Sequence, residues 1–117
     1  MTRIVHVRDG DTRVLATDVA VADSFLAKAR GLMFRRSFPD GSALVFPFGS
    51  AAPRTLHMVG VFFDIDAVWL REGRVEQVSR LSAWTGLGRA AADVVIELPA
   101  GAADGVREGD VVRIDGE

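Results

Sequence analysis

Phe62-Phe63-Asp64-Ile65-Asp66-Ala67-Val68-Trp69-Leu70 runs into Glu72-Gly73, and Arg74-Val75-Glu76-Gln77-Val78-Ser79-Arg80 follows. The first run is dense in aromatic and branched residues, and the second alternates polar and apolar as a half-buried strand should. The pair between them reads as a tight turn. Upstream, Ala43 to Phe46 and Arg54 to Met58 read as strands, separated by Pro47 and a loop from Gly49 to Pro53. Downstream, Ser82 to Ala91 reads as a loop, and Val94 to Leu98 and Val111 to Ile114 are the last strands, bridged by Pro99 to Gly109. At the beginning, Ile4 to Arg8, the turn Asp9-Gly10-Asp11 and Arg13 to Ala16 make a hairpin, with Asp18 to Val21 as a third short strand.

The period changes once. After Asp23 and Ser24, both good N-caps, Phe25, Ala29, Leu32 and Met33 recur at helical spacing, and Gly31 ends or tightens the helix. Eight or nine short strands with one short helix near residues 24–34 predict a mainly β fold. The expected architecture is a compact antiparallel sandwich or jelly-roll-like barrel, with strand exceeding helix at least about twofold. The 117 residues, 49% apolar and 26% charged, suit a single domain over 1–117 and exclude a disordered or collagen-like chain.

A net charge of −2, with acids and bases interspersed, argues against a nucleic-acid surface and against a polybasic membrane patch. No apolar run approaches the ~18 residues of a membrane-spanning helix. Met1 to Arg8 holds no continuous apolar segment of a secretory signal. The chain therefore reads as cytoplasmic, with no nucleic-acid or membrane partner. With no cysteine, disulfides, thiolate nucleophiles and cysteine zinc sites are excluded. Lys28 is the single lysine among 14 basic residues, a skew that coding bias explains as well as function does.

Gly86-Leu87-Gly88-Arg89-Ala90-Ala91 matches the dinucleotide-binding fingerprint, but too few residues follow it to complete a βαβ unit, so it reads as a flexible glycine loop. His6 shares a strand face with Ile4 and Arg8, opposite Val5 and Val7, and is expected to face solvent. His57, between Leu56 and Met58, suits core, ligand or base equally. Two histidines without cysteine make a poor ligand set, even if His57 joined Asp64 and Asp66, so no metal and no cofactor are expected. Asp64 and Asp66 stand in strongly apolar sequence, where a carboxylate must be paired, hydrogen-bonded or protonated. A salt bridge, for instance with Arg35 or Arg54, or backbone capping at a strand end is the structural reading; a general acid/base in a pocket is the catalytic one.

Gly31-Leu32-Met33-Phe34-Arg35, Leu44-Val45-Phe46, Leu56 to Trp69 and Glu97-Leu98-Pro99-Ala100-Gly101 resemble, in order and spacing, the family named domain of unknown function 192. The resemblance covers roughly residues 20–112. Gly31, Leu32, Met33 and Arg35 fall on its first motif, Met58 and Asp66 on its second, and Gly109-Asp110 on its terminal turn. The chain departs where His57 replaces Trp, where Val59-Gly60-Val61 replaces a polar triplet and where Asp64 replaces Pro. The resemblance implies a small, mainly β fold and no established activity.

These readings converge on a binding module for an unknown small molecule or protein partner. Arg35 and Asp66 are its expected polar anchors, and Arg35, His57, Met58 and Asp66 its expected binding residues. A small enzyme using Asp64 or Asp66 as acid/base, and an accessory domain docking through the Trp84 loop, are the alternatives. At least one of Arg35 and Asp66 is expected to be mostly buried, with Arg35 hydrogen-bonded to a carboxylate, Asp66 leading, or to backbone carbonyls.

Overall fold

The computed structural model describes residues 2–116, except for the side chain of Phe25, so the proposed packing role of Phe25 lies outside the described residues. Period-two sequence becomes strand nearly throughout: β1 (Arg3–Arg8), β2 (Asp11–Ala16), β3 (Asp18–Val21), β4 (Ser42–His57), β5 (Ile65–Arg71), β6 (Arg74–Leu81), β7 (Leu87–Pro99) and β8 (Val111–Asp115). One helix, α1 (Phe25–Arg30), interrupts them. It starts where Ser24 Oγ accepts from the Ala27 N–H at 3.1 Å. It stops at Gly31, whose φ of 50° few other residues adopt readily. It is thus shorter than the stretch 24–34, and residues beyond Gly31 continue as turns.

The strands form one sheet in the order β2-β1-β8-β6-β5-β7-β4-β3. Its two outermost strands are consecutive in the chain, joined by Thr17 alone, whose N–H donates to the Gly41 carbonyl at 2.9 Å. A sheet whose first and last strands are linked by one residue must curl until they meet, so the expected barrel is a rolled single sheet. One pairing departs from the antiparallel expectation. β3 runs parallel to β4, because α1 and the turn after it carry the chain back before β4 begins.

Two further expectations are corrected. Gly49 to Pro53 does not separate two strands: β4 is continuous, and Phe48 to Ala51 bulge opposite the single residue Asp93. Leu87 to Ala91 is not a loop but the first half of β7, paired with Pro53 to His57. Its glycine is a packing requirement, since a Cβ on Gly88 would stand 2.6 Å from Cη2 of the fully buried Trp69. Gly88→Ala is expected to cost about 1–3 kcal/mol by forcing the indole from its seat. Denaturant titration read by tryptophan emission checks it, and an unchanged midpoint would reject it.

Both faces of the central strands are buried. Val45, Val68, Leu70, Ile96 and Leu98 point into the roll, against β1, β2, β8 and the 102–106 segment. Leu44, Phe46, Ala67, Trp69 and Val95 point outward, beneath Ala27, Leu32, Phe38, Met58, Val61 and Phe63. This double burial overturns the solvent-facing assignment of His6. β1 lies between β2 and β8, and His6, on the Ile4 face, is only 7% exposed, with Nε2 2.8 Å from Asp110 Oδ2.

Candidate functional site

Asp66 is buried, as expected of at least one member of the proposed pair, but its partner is Arg80 and not Arg35. Asp66 and Arg80 are direct cross-strand neighbours on β5 and β6, so the Arg80 Nε donates to Oδ1 at 2.5 Å. The other carboxylate oxygen accepts the Gly101 and Ala103 N–H groups, each at 3.0 Å. Asp66 thereby pins the turn after β7 onto the sheet, and both its oxygens are engaged. Asp64 is exposed and accepts the Ala83 N–H at 2.8 Å, which anchors the following loop.

The expected binding residues do not meet in one cavity. Met58 is fully enclosed in the outward-facing core. Asp66 lies on the inward face of β5. Arg35 is exposed in the turn after α1. His57, exposed at the end of β4, accepts the Val59 N–H at Nδ1 (3.3 Å) and lines a cavity on the outward face.

That cavity, of about 240 Å³, is enclosed by the end of α1, the Gly31 turn, β4 and β7. Lys28 and Arg30 come from the helix, Thr55 and His57 from the far end of β4, Phe46 from its beginning and Glu97 from β7. The bulge at Phe48 to Ala51 lets the β4–β7 ribbon bend, so the two ends of β4 reach one cavity. A neighbouring cavity of about 480 Å³ shares Lys28, Ala29, Phe46, Thr55 and Leu56 and extends to Phe48. Together they make a groove with a mixed-polarity end at Glu97 and an apolar arm toward Phe48.

Glu97 differs from Asp66 in the one respect that matters for chemistry. It is 5% exposed, yet among the described residues no hydrogen bond or ion pair reaches its carboxylate. Among the described residues no buried side-chain oxygen is sealed without a partner, so this carboxylate opens into the cavity it lines. Burial pushes its pKa up to about 7, against the opposing pull of the Arg35 charge. Gly31 borders the carboxylate: a Cβ there would make ordinary contact with Glu97 Oε1 at 3.7 Å and Phe46 Cζ at 3.4 Å. Farther along, the Arg54 guanidinium lies 4.1 Å from the Phe48 ring centroid and Lys28 Nζ 5.2 Å from it.

Glu97, Lys28 and Arg30 were not among the residues expected from sequence. The signal was present, because Val94-Val95-Ile96-Glu97-Leu98-Pro99 strands an acid among apolar residues just as the Asp66 segment does. No group of three or more potential metal ligands occurs among the described residues. A separate surface feature is an exposed aromatic ridge: Phe62 lies 6.4 Å from Phe34 and 5.4 Å from Trp84, centroid to centroid. Phe34 and Trp84 both hold positive φ, 64° and 65°.

Comparison with known proteins gives three results. The family model DUF192, described as uncharacterised ACR, matches residues 5–114. A UPF0127 protein of Thermococcus kodakarensis is 33% identical over 98 residues, covering 80% of this chain; the chain spans 62% of that relative's length. Two crystal structures share the fold at 22% and 21% identity. One, from Sinorhizobium meliloti and provisionally described as a transcription regulator, gives a TM-score of 0.82 over 97% of this chain and 94% of its own. The other, a protein of unknown function from Novosphingobium aromaticivorans, gives 0.81 over 95% and 83%.

Proposed function

We propose, for a chain that belongs to the DUF192 family of uncharacterised proteins, a small-ligand-binding function seated in the groove between α1 and β4. Glu97 carries the reading: a buried carboxyl without a protein partner, open to a cavity and titrating near neutrality, is costly to keep unless something binds it. The groove has the volume and mixed lining of small-molecule sites, which run to about 300–1,000 Å³. In this reading Glu97 and His57 are the polar groups a ligand meets, Arg35 acts on Glu97 through its charge, and Asp66 is a structural clamp.

Ala29 is exposed and borders both parts of the groove, so Ala29→Trp fills it without entering the core. A fragment screen by ligand-observed NMR is expected to yield binders whose affinity falls at least about tenfold in Ala29→Trp. Binders indifferent to that substitution would reject the groove.

The ridge of Phe34, Phe62 and Trp84 favours a second reading, docking of a protein partner through exposed apolar surface. Loss of a captured partner in Trp84→Ala but not in Ala29→Trp would select it. Net charge of −2 and dispersed arginines support excluding nucleic acid from either reading. The structural neighbour provisionally described as a transcription regulator makes duplex DNA the probe, and retention in a low-salt mobility-shift assay would reverse the exclusion. A cysteine-free chain is compatible with a cytoplasmic setting. Among the described residues no helix is long and apolar enough to cross a membrane.

A further inference from the structure

We propose that the groove takes an amphipathic organic carboxylate, its head held between Arg30 and the Glu97 carboxyl and its apolar chain laid along Phe46, Leu56 and Phe48. The proposal rests on the groove being a ligand site and goes further by assigning the ligand's charge and shape.

Charge comes first. The elements packed around Glu97 supply Lys28 and Arg30 from α1, His57 from β4 and the Arg35 charge from the turn between them. The β5 residue paired with Glu97 is the uncharged Ala67. Glu97 is the only carboxylate among the described residues lining either part of the groove. The other formally charged lining residues, Lys28 and Arg30, are both basic. An amine would meet those cations unfavourably, whereas an anion meets them favourably and needs only that Glu97 be neutral.

Glu97 is built to become neutral. Titrating at about 7, it takes up a proton readily near neutral pH. A carboxylate ligand beside it would form a pair sharing that single proton, since two adjacent carboxylates cannot both stay ionised cheaply. The proton sits between the Glu97 carboxyl and the ligand oxygen, and none is transferred elsewhere. Binding then draws a proton from solvent above neutrality, and affinity falls as pH rises.

Shape comes second. Away from Glu97 the lining is Ala29, Phe46, Leu56 and Phe48, with the Lys28 stem along the wall. Lys28 can cover apolar chain with its methylenes while its ammonium, over Phe48, stays at the rim. A small inorganic anion would leave this arm unfilled.

Octanoate, 1-octanol, octylamine and acetate separate charge from chain length. Amide chemical-shift titrations at pH 6 and pH 8.5, on wild type and Glu97→Gln, are expected to give four results. Octanoate perturbs Lys28, Phe46, Leu56 and Thr55. Acetate binds far more weakly. Octanoate affinity drops about tenfold between the two pH values in wild type. The drop is absent in Glu97→Gln, whose amide donates without titrating. Octylamine or octanol binding in preference to octanoate would overturn the ligand class and leave the groove standing as a site. Octanoate affinity independent of pH in wild type would overturn the shared proton and with it the proposal. If none of the four probes, and no fragment in the wider screen, responded to Ala29→Trp, both the ligand class and the groove would fall.

Discussion

Asp66→Ala is expected to lower the unfolding free energy by about 3–5 kcal/mol, more than any other single polar substitution proposed for this fold. The size follows from what the carboxylate holds. Two backbone N–H groups, of Gly101 and the buried Ala103, each at 3.0 Å, lose their acceptor together. A buried donor left without a partner costs about 1–3 kcal/mol. The Arg80 contribution is smaller, because its side chain is half exposed and water rescreens the guanidinium once Asp66 is gone. Asp66→Asn, which keeps one acceptor, should fall between wild type and Asp66→Ala. Asp64→Ala removes one exposed capping bond and should cost no more than about 1 kcal/mol. Urea titrations of the three variants decide it. A loss at Asp66→Ala within about 0.5 kcal/mol of that at Asp64→Ala would refute the clamp.

The same residue marks how far the sequence could be read. A carboxylate within Phe63 to Trp69 had to be satisfied, and that inference needed no structure. Which arginine satisfied it depended on the β5–β6 register, and register follows from turn geometry and packing that a single strand pattern does not reveal. Arg35, adjacent to apolar sequence, stays at the surface because the turn after Gly31 carries it outward. The first half of β7 was hidden for a related reason. Gly88 and the alanines after it carry little strand propensity, and their pairing with β4 is imposed by the packing against Trp69. His6 was misplaced because the alternation rule assumes one wet face, and a rolled sheet at β1 offers none. Glu97 gave the same signal as Asp66. Only the fold shows that one acid meets two amides and an arginine while the other meets a cavity.

That contrast yields the second large effect, a pH-dependent gain of stability in Glu97→Gln. The ordinary value for this carboxyl is 4.5, and in the folded protein it stands at about 7, so the folded chain holds the proton more tightly than the unfolded chain does. Below pH 4.5 both states are protonated and Glu97 imposes no ionisation penalty. Between 4.5 and 7 the unfolded chain releases its proton first, so stability falls as pH rises; above 7 both states are ionised and the full penalty stands. At about 1.4 kcal/mol for each tenfold in proton affinity, that penalty is at most roughly 3–4 kcal/mol. Glutamine has the same shape and never ionises, so the variant should be more stable than wild type by roughly 1–3 kcal/mol at pH 8 and nearly equal to it at pH 4. Other groups shape the absolute profile. Burial alone would raise Asp110, but hydrogen bonds from His6 and the Arg107 N–H, with Arg8 nearby, hold it below its usual value. Its contribution is therefore lost on acidification, the opposite sense to Glu97. Subtracting the wild-type profile from that of Glu97→Gln cancels Asp110 and isolates the one group. Denaturant midpoints at pH 4, 5, 6, 7 and 8 should give a difference that rises through the 4.5–7 window. A flat difference would mean that Glu97 stays charged with a partner in solution, and the unpartnered carboxyl on which the binding site rests would be gone.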